Sequence, residues 1–307
     1  MPGTVYSGRG ALDKIREITE GRFKKAALFT DKGVEQAGLL RTPIKLLHEA
    51  GVETVVLADL PAEPDCDEAQ QAIDRFRRTG ADLIVAAGGG SVMDVAKLAS
   101  ITADGSVTVR QLLENPGLGR KSIPVLMIPT TAGTGSEATM NSIVAVPEQQ
   151  LKVGIVNREM MPDYVILDGS LLTNLPKKIA ASTGIDAMAH AVECFTSNKA
   201  NPFSNLFAKE AARLIFGNIE AACEEPEAEE AKTNMLTAAF YAGAAISSSG
   251  TTAVHALSYP LGGKYHIPHG VSNAMLLLPV MRFNKSACLK EFAELFDAVE
   301  GNGGRNQ

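Results

Sequence analysis

Several residue types that mark particular protein classes are scarce in this chain of 307 residues. Tryptophan is absent and aromatic residues make up only 5%, so platforms on which nucleic-acid bases could stack are few. Basic residues number 29 against 35 acidic ones, and a net charge of −6 does not favour nucleic-acid binding. No apolar run is long enough to span a bilayer, so no membrane association is expected.

Cysteines are also few, and they are far apart. The four of them, Cys66, Cys194, Cys223 and Cys288, include no C-x-x-C pair, so the sequence predicts no cysteine metal site. Residues 1–20 lack the basic segment and apolar core of a signal peptide. We therefore expect free thiols and a cytoplasmic protein.

The first half of the chain alternates strand-like and helix-like segments. Apolar runs lie at residues 25–30, 54–57, 82–87 and 123–128, with helical patterns between them and shorter strand candidates at 142–146, 152–156 and 164–167. Such alternation is typical of βαβ units with a mostly parallel sheet. We expect an α/β domain over residues 1–168.

After about residue 170 the segments become rich in alanine and show helical spacing. They lie at residues 176–197, 204–220, 231–260 and 270–283. These patterns predict an all-α domain over residues 169–307.

Two loops are candidates for binding a phosphorylated cofactor. Gly88, Gly89, Gly90 and Ser91 follow a strand and open a helix, whose first N–H groups favour an anion such as a pyrophosphate. The second loop, residues 129–137, has the sequence PTTAGTGSE and offers hydroxyls that suit a sugar phosphate. A tight turn and a polar capping loop are the respective alternatives. Loops at the ends of neighbouring strands nevertheless suit the nucleotide crevice of α/β sheets.

Asp31 ends the first strong strand. A carboxylate there can bond the ribose diol of NAD and repel the 2′-phosphate of NADP. The alternative is an N-cap for the helix that follows.

An aspartate and three histidines form a candidate metal site. Asp186 and His190 are spaced i, i+4 on a helix, while His255 and His269 lie in two other helical segments. Each residue alone is readily explained as a hydrogen-bonded core residue. The four together, three nitrogens and one oxygen, favour Fe, Zn, Ni or Cu over Ca or Mg.

Four motifs connect these residues to a known family. They are GGGSVMDVAK at 88–97, PTTAGTGSE at 129–137, GIDAMAHAVE at 184–193 and HALSYPLGGKYHIPHG at 255–270. The sequence resembles the iron-containing (group III) alcohol dehydrogenases. This resemblance implies a Rossmann-like nucleotide-binding domain, an all-α metal-binding domain in a dehydroquinate synthase-like fold, and an active site in the cleft.

The resemblance also implies roles for individual residues. The metal is expected to be Fe²⁺, with Zn²⁺ as the alternative, and its ligands are Asp186, His190, His255 and His269. NAD, in preference to NADP, is expected to contact Asp31, Gly88, Gly89, Gly90, Ser91, Thr130, Thr131, Thr134, Ser136, Thr139 and Lys152.

The sequence departs from the family pattern at two places. Many members carry a second histidine, a proton relay, four residues after the third ligand, and here that position is Tyr259. Tyr259 and the nearby His266 are therefore the candidate catalytic proton carriers. Family members typically extend several tens of residues further, so we expect this chain to lack C-terminal helices.

The predicted function is reversible oxidation of a small alcohol to an aldehyde with NAD(H). The metal is expected to polarise the substrate oxygen, and a homo-oligomer is expected from the resemblance. A glycerol dehydrogenase-like enzyme is one alternative. A dehydroquinate synthase-like lyase is another, although few basic residues, among them Lys264 and Arg282, lie near the motifs to hold an anionic substrate. A catalytically inactive, truncated homologue is the third.

Overall fold

The computed structural model describes residues 1–149, 151–265 and 267–301. Its contacts divide the chain into two compact units. The first comprises Met1–Thr130 and Ser136–Leu171, and the second comprises Thr131–Gly135 and the chain from Leu172 onward. The boundary predicted at residues 168/169 lies close to this change of unit. No sequence pattern indicated that Thr131–Gly135 groups with the helices.

A parallel sheet forms the centre of the first unit. Its strands run in the order β1-β8-β5-β4-β2-β3. They are β1 (Thr4–Ser7), β2 (Lys25–Phe29), β3 (Glu53–Leu57), β4 (Leu83–Gly88), β5 (Val125–Pro129) and β8 (Tyr164–Leu167), while β6 (Asn141–Val146) and β7 (Leu151–Val156) pair separately as antiparallel strands. Every residue of β4 and β5 is buried, as expected for strands covered on both faces. The predicted α/β domain with a parallel sheet is confirmed.

Helices connect the strands of this unit. They are α1 (Lys14–Thr19), α2 (Lys32–Gln36), α3 (Arg41–Glu49), α4 (Cys66–Thr79), α5 (Gly90–Thr102) and α6 (Val109–Glu114). α4 begins at a capping box, in which Asp65 accepts the N–H of Glu68 and Glu68 accepts that of Asp65. α5 begins almost directly after β4, so the glycine loop is a very short strand-to-helix turn.

The strand order places the candidate cofactor residues together at the carboxyl ends of three neighbouring central strands. β4 lies between β5 and β2, and all three strands are parallel. Their carboxyl ends lead into Asp31, the glycine loop and Thr130. The chain order of the strands reverses between β2 and β4, and ligands of open α/β sheets bind at such a switch point.

The second unit is helical, which confirms the second half of the predicted fold. Its helices are α7 (Lys177–Thr196), α8 (Pro202–Glu224), α9 (Glu229–Ser249), α10 (Ala253–Tyr265), α11 (His269–Asn284) and α12 (Leu289–Glu300). Small buried side chains, such as Ala191, Ala211 and Ala242, let α7, α8 and α9 approach closely. None of the helices formed by the described residues is long and apolar enough to cross a membrane.

The prediction of continuous helical spacing over residues 231–260 was wrong in one respect. The structure has two helices there, because α9 ends at Ser249 and α10 begins at Ala253. Gly250 separates them with φ +75°, a conformation that L side chains rarely adopt. The N–H groups of Thr252 and Val254 then bond the carboxylate of Glu193 on α7.

Candidate metal centre and nucleotide loops

Three of the four predicted metal ligands come together in the helical unit. Asp186 on α7, His255 on α10 and His269 on α11 each offer a donor atom, and these atoms all lie within 4.8 Å of one another. The Nε2 atoms of both histidines are 3.6 Å from Oδ1 of Asp186. Asp186 and His255 are almost fully buried, whereas the His269 side chain is 29% exposed. The group is therefore accessible from the side of His269.

His190, the fourth predicted ligand, adjoins this group through its ring. The ring stacks on that of His255 with the centroids 4.4 Å apart. Burial lowers the pKa of His190 to about 4, so the ring is neutral at neutral pH and one nitrogen has a lone pair. Its Nδ1 atom is buried without a hydrogen-bond partner in the described structure. An unpartnered buried polar atom is costly, and it fits a site that receives an ion or a water.

Glu193 belongs to the site, although the sequence analysis missed it. Its Oε2 atom is hydrogen-bonded to Nδ1 of His255, and its Oε1 atom accepts bonds from Thr252 and Val254. The spacing of Asp186, His190 and Glu193 is i, i+4, i+7, which places all three on one face of α7. A carboxylate on the far nitrogen of a ligating histidine orients the ring. The i+7 spacing in GIDAMAHAVE was the signal that could have identified it.

The charges of this group are strongly coupled. Burial by itself would raise the pKa of Asp186, but the three histidines outweigh it and hold that pKa well below the usual range. Burial also lowers the pKa of His255, yet hydrogen bonds and charges from Asp186 and Glu193 raise it to about 9. A proton and a cation would therefore compete for His255.

Asn273 is a second residue that the sequence analysis missed. It lies on α11 one turn after His269 and is fully buried. Its amide nitrogen donates to Oδ1 of Asp186 at 2.6 Å and lies 3.0 Å from Nε2 of His255 and 3.2 Å from Nε2 of His269. The i, i+4 spacing from His269 within α11 was the available signal.

Of the two predicted catalytic residues, the structure describes only Tyr259. Tyr259 is half-buried on α10, one turn after His255, and its ring stacks near that of His269 with the centroids 6.2 Å apart. It therefore lies beside the ligand group. His266 lies outside the described residues, so its predicted role stays a prediction.

The glycine loop packs closely on the helix that it opens. A Cβ atom at Gly88 would lie 2.7 Å from the Val92 side chain, so a larger residue would push α5 away from β4. Gly89 is the N-cap of α5 and provides no side-chain cap, which leaves the first amides of the helix for a ligand or solvent. Ser91 accepts the N–H of Glu63 at 3.1 Å, and the Glu63 carboxylate pairs with Lys152 at 2.8 Å.

Asp31 and Thr130 flank the glycine loop on the neighbouring strands. Thr130 is buried, and its N–H bonds the carbonyl of Gly88 at 3.0 Å. Oδ1 of Asp31 accepts the N–H of Val34 at 3.0 Å, so the N-cap alternative for Asp31 is present in the structure. A carboxylate has a second oxygen, and capping does not prevent it from accepting a bond from a ribose.

Thr131 and Thr134 lie in the short segment that groups with the helical unit. Gly135 closes this segment with φ +61°, and a Cβ atom there would lie 2.6 Å from the carbonyl oxygen of Ala239 on α9. The segment therefore depends on glycine for its close contact with α9.

Ser136 and Thr139 belong to a buried charged network in the first unit. Lys97 on α5 is fully buried, and its ammonium group lies 3.0 Å from the Asp94 carboxylate. It also donates to the carbonyl of Ser136 at 3.0 Å and to the Thr139 hydroxyl at 3.2 Å. The Ser136 hydroxyl donates to Asp94 at 2.5 Å. Both hydroxyls predicted to contact NAD are thus engaged inside the protein.

Comparisons with known proteins show the family of this chain. The family profile described as iron-containing alcohol dehydrogenase matches residues 2–169, and the profile of the C-terminal part of that family matches residues 180–307. Long-chain-alcohol dehydrogenase 1 of Geobacillus thermodenitrificans is 36% identical over 306 residues, which cover 98% of this chain and 77% of the relative. The NAD-dependent methanol dehydrogenase of Bacillus methanolicus is 29% identical over 303 residues, covering 98% of this chain and 80% of the relative.

A solved structure gives the same result. The crystal structure of a 1,3-propanediol oxidoreductase superposes with a TM-score of 0.92 at 33% identity, covering 99% of this chain and 79% of the other. The predicted cofactors, iron and NAD, agree with the name of the family and with the NAD dependence in one relative's name. The chain belongs to the iron-containing alcohol dehydrogenase family and is an oxidoreductase that acts on alcohols.

Proposed function

We propose that this protein interconverts a small alcohol and its aldehyde with NAD(H), using a divalent iron or zinc ion held by Asp186, His190, His255 and His269. The observation that carries the proposal is the convergence of donor atoms from three helices within 4.8 Å. Three imidazole nitrogens and one carboxylate oxygen suit these two metals. When bound, the metal supplies a Lewis acid for the substrate oxygen and NAD supplies or accepts a hydride.

The residues around the donors have separate tasks in this proposal. Glu193 holds Nδ1 of His255 and so directs Nε2 towards Asp186. The exposed side of His269 is where a small substrate enters. Tyr259, whose ring lies beside that of His269, carries the proton to or from the substrate oxygen at its hydroxyl.

The cofactor contacts are proposed at the carboxyl edge of the sheet. The amides of Gly89, Gly90 and Ser91 at the start of α5 bind the pyrophosphate. Asp31 accepts a bond from the ribose and repels a 2′-phosphate, so NAD is favoured over NADP. The roles predicted for Gly88, Thr130, Thr131, Thr134 and Lys152 stay predictions. Ser136 and Thr139 act indirectly, because their hydroxyls hold Asp94 and Lys97.

The test is the dependence of turnover on metal and on cofactor. The protein is stripped with a chelator, reloaded with Fe²⁺ under anaerobic conditions or with Zn²⁺, and assayed with NADH and NADPH over a panel of small aldehydes. We expect turnover only after reloading, and faster turnover with NADH. Turnover that survives chelation would contradict the proposal. Binding of metal and NADH without turnover on any aldehyde would support the inactive homologue instead.

We also propose that the protein is a homo-oligomer. Large apolar side chains are exposed on the last helices of the described chain, among them Leu257, Tyr265, Met275, Leu278 and Phe283. These side chains lie on α10 and α11, and apolar side chains exposed together on neighbouring helices would suit a protein interface. Size-exclusion chromatography with light scattering should give a mass at least twice that of the chain. The mass of a monomer would contradict this proposal.

The reducing cytoplasm is the compartment that we propose for the protein. All four cysteines are free. Burial raises the pKa of Cys194 to about 12, which keeps that thiol protonated and unreactive at neutral pH.

A further inference from the structure

Asn273 lies where the donor atoms of the metal centre converge. Its amide nitrogen is within 3.2 Å of Oδ1 of Asp186, Nε2 of His255 and Nε2 of His269. These are the same residues whose donor atoms form the candidate cation site.

Asn273 cannot bond all three of these atoms, and its own oxygen has no partner. A carboxamide nitrogen carries two hydrogens, so it serves at most two of the three atoms around it. The Oδ1 atom of Asn273 is buried and has no hydrogen-bond partner in the described structure. Buried polar atoms without partners destabilise a protein. A purely structural role therefore does not account for an asparagine at this position.

A bound cation relieves this shortage. A cation among the donors can interact with the carboxylate oxygen and with both imidazole nitrogens at the same time. These atoms then no longer accept hydrogen bonds from the Asn273 amide. A carboxamide can then turn and offer its oxygen, because its two ends are nearly equal in shape.

We propose that Asn273 is a positioning residue for metal uptake: its amide holds Asp186, His255 and His269 around one point before the metal binds, and its oxygen then stabilises the loaded site. The proposal rests on the proposed metal site. It adds a residue that is not itself one of the proposed ligands.

The test compares two variants of Asn273 after chelation. Asn273→Leu keeps roughly the size of the side chain and removes both hydrogen-bonding ends. Asn273→Asp keeps the shape and places a second carboxylate beside Asp186. Zn²⁺ affinity is measured by competition with a chromogenic chelator, and the melting temperature is measured with and without Zn²⁺.

We expect Asn273→Leu to weaken Zn²⁺ binding at least about tenfold, the usual effect of losing a residue that orients metal ligands. We expect Asn273→Asp to restore the affinity and to gain more in melting temperature on adding Zn²⁺ than the wild type, because two adjacent carboxylates repel until a cation arrives. The control is Ser272→Ala. Ser272 is the fully buried neighbour, and its hydroxyl donates to the backbone carbonyls of Ile267 and Pro268 in the described structure.

The outcomes separate this inference from the function on which it rests. Wild-type affinity in Asn273→Leu, with equal losses of melting temperature in the presence and absence of Zn²⁺, would overturn the positioning role and leave the metal site intact. Failure of the wild type to bind Zn²⁺ or Fe²⁺ would overturn the metal site, and the positioning role with it.

Discussion

Glu193 on α7 and His255 on α10 are joined by a hydrogen bond between Oε2 and Nδ1, so the opposite nitrogen of the ring faces Asp186. The same carboxylate accepts N–H groups at the start of α10. One side chain thus fixes both the position of the helix and the direction of the imidazole that the helix carries.

Replacing Glu193 with glutamine should therefore weaken metal binding. Both carboxylate oxygens of Glu193 accept hydrogen bonds, whereas a glutamine amide has only one accepting oxygen. The negative charge beside the His255 ring is lost as well. We therefore expect the affinity for the metal to fall about ten- to hundredfold. Competition with a chelator measures the fall. Glu210→Gln is the control, since Glu210 pairs with Arg213 on α8 and neither residue belongs to the ligand group. Equal affinities in the two variants would contradict the orienting role.

Glu137 should make the stability of the protein depend on pH. Burial raises its pKa from the ordinary 4.5 to about 7. Between these two values the folded chain holds a proton that the unfolded chain has lost, so stability falls as the pH rises through this window. The loss above pH 7 is about 3 kcal/mol.

Glutamine at position 137 carries no such charge, so Glu137→Gln should escape this loss. Urea unfolding of both chelated proteins at pH 5 and pH 8 measures it. We expect the difference between wild type and variant to change by about 3 kcal/mol in favour of the variant. A difference that does not change with pH would show that Glu137 titrates normally.

The buried Asp94–Lys97 pair should behave as one unit. Replacing Lys97 by methionine leaves the Asp94 carboxylate buried without its counter-ion, which typically costs about 3–5 kcal/mol. The double variant Asp94→Asn/Lys97→Met removes both charges and should be more stable than Lys97→Met alone. Urea unfolding of the four proteins in the cycle measures the coupling, and additive losses would contradict it.

Two glycines of the helical unit should respond oppositely to alanine. Gly135 has φ +61° and no space for a Cβ atom, so Gly135→Ala should destabilise the protein by more than about 1 kcal/mol. Gly217 lies exposed inside α8, and a Cβ atom there would meet nothing within 4 Å. Gly217→Ala should stabilise the protein by about 0.5–1 kcal/mol. Thermal unfolding compares them, and equal effects would show that the segment at Gly135 is not constrained.

The sequence predicted the fold well because its signals are local. The buried runs at 82–87 and 123–128 correspond to β4 and β5, and the alanine-rich segments correspond to helices. The break at Gly250 was missed because it depends on Glu193, a residue distant in sequence that caps α10. The grouping of Thr131–Gly135 with the helices was missed for a similar reason, since it depends on contact with α9.

The site was predicted in part. Spacing within a helix connected Asp186 to His190, but nothing local connects either residue to His255 or to Asn273. The packing of α7, α10 and α11 brings these residues together. The sequence alone did not distinguish Asn273 from the other polar residues of the chain, whereas the structure places it among the donors. The roles of Ser136 and Thr139 could not be separated by motif, because their hydroxyls turn inward to Asp94 and Lys97.

The most direct test of the account is His255→Ala, measured for bound metal and for NADH turnover. His255 lies inside α10 of the helical unit, and alanine is a good helix former, so circular dichroism should change little. We predict that the wild type retains about one divalent ion per chain and reduces aldehydes, whereas the variant loses the ion on dialysis and shows no metal-dependent turnover. Unchanged metal content together with unchanged turnover in His255→Ala would contradict the central claim.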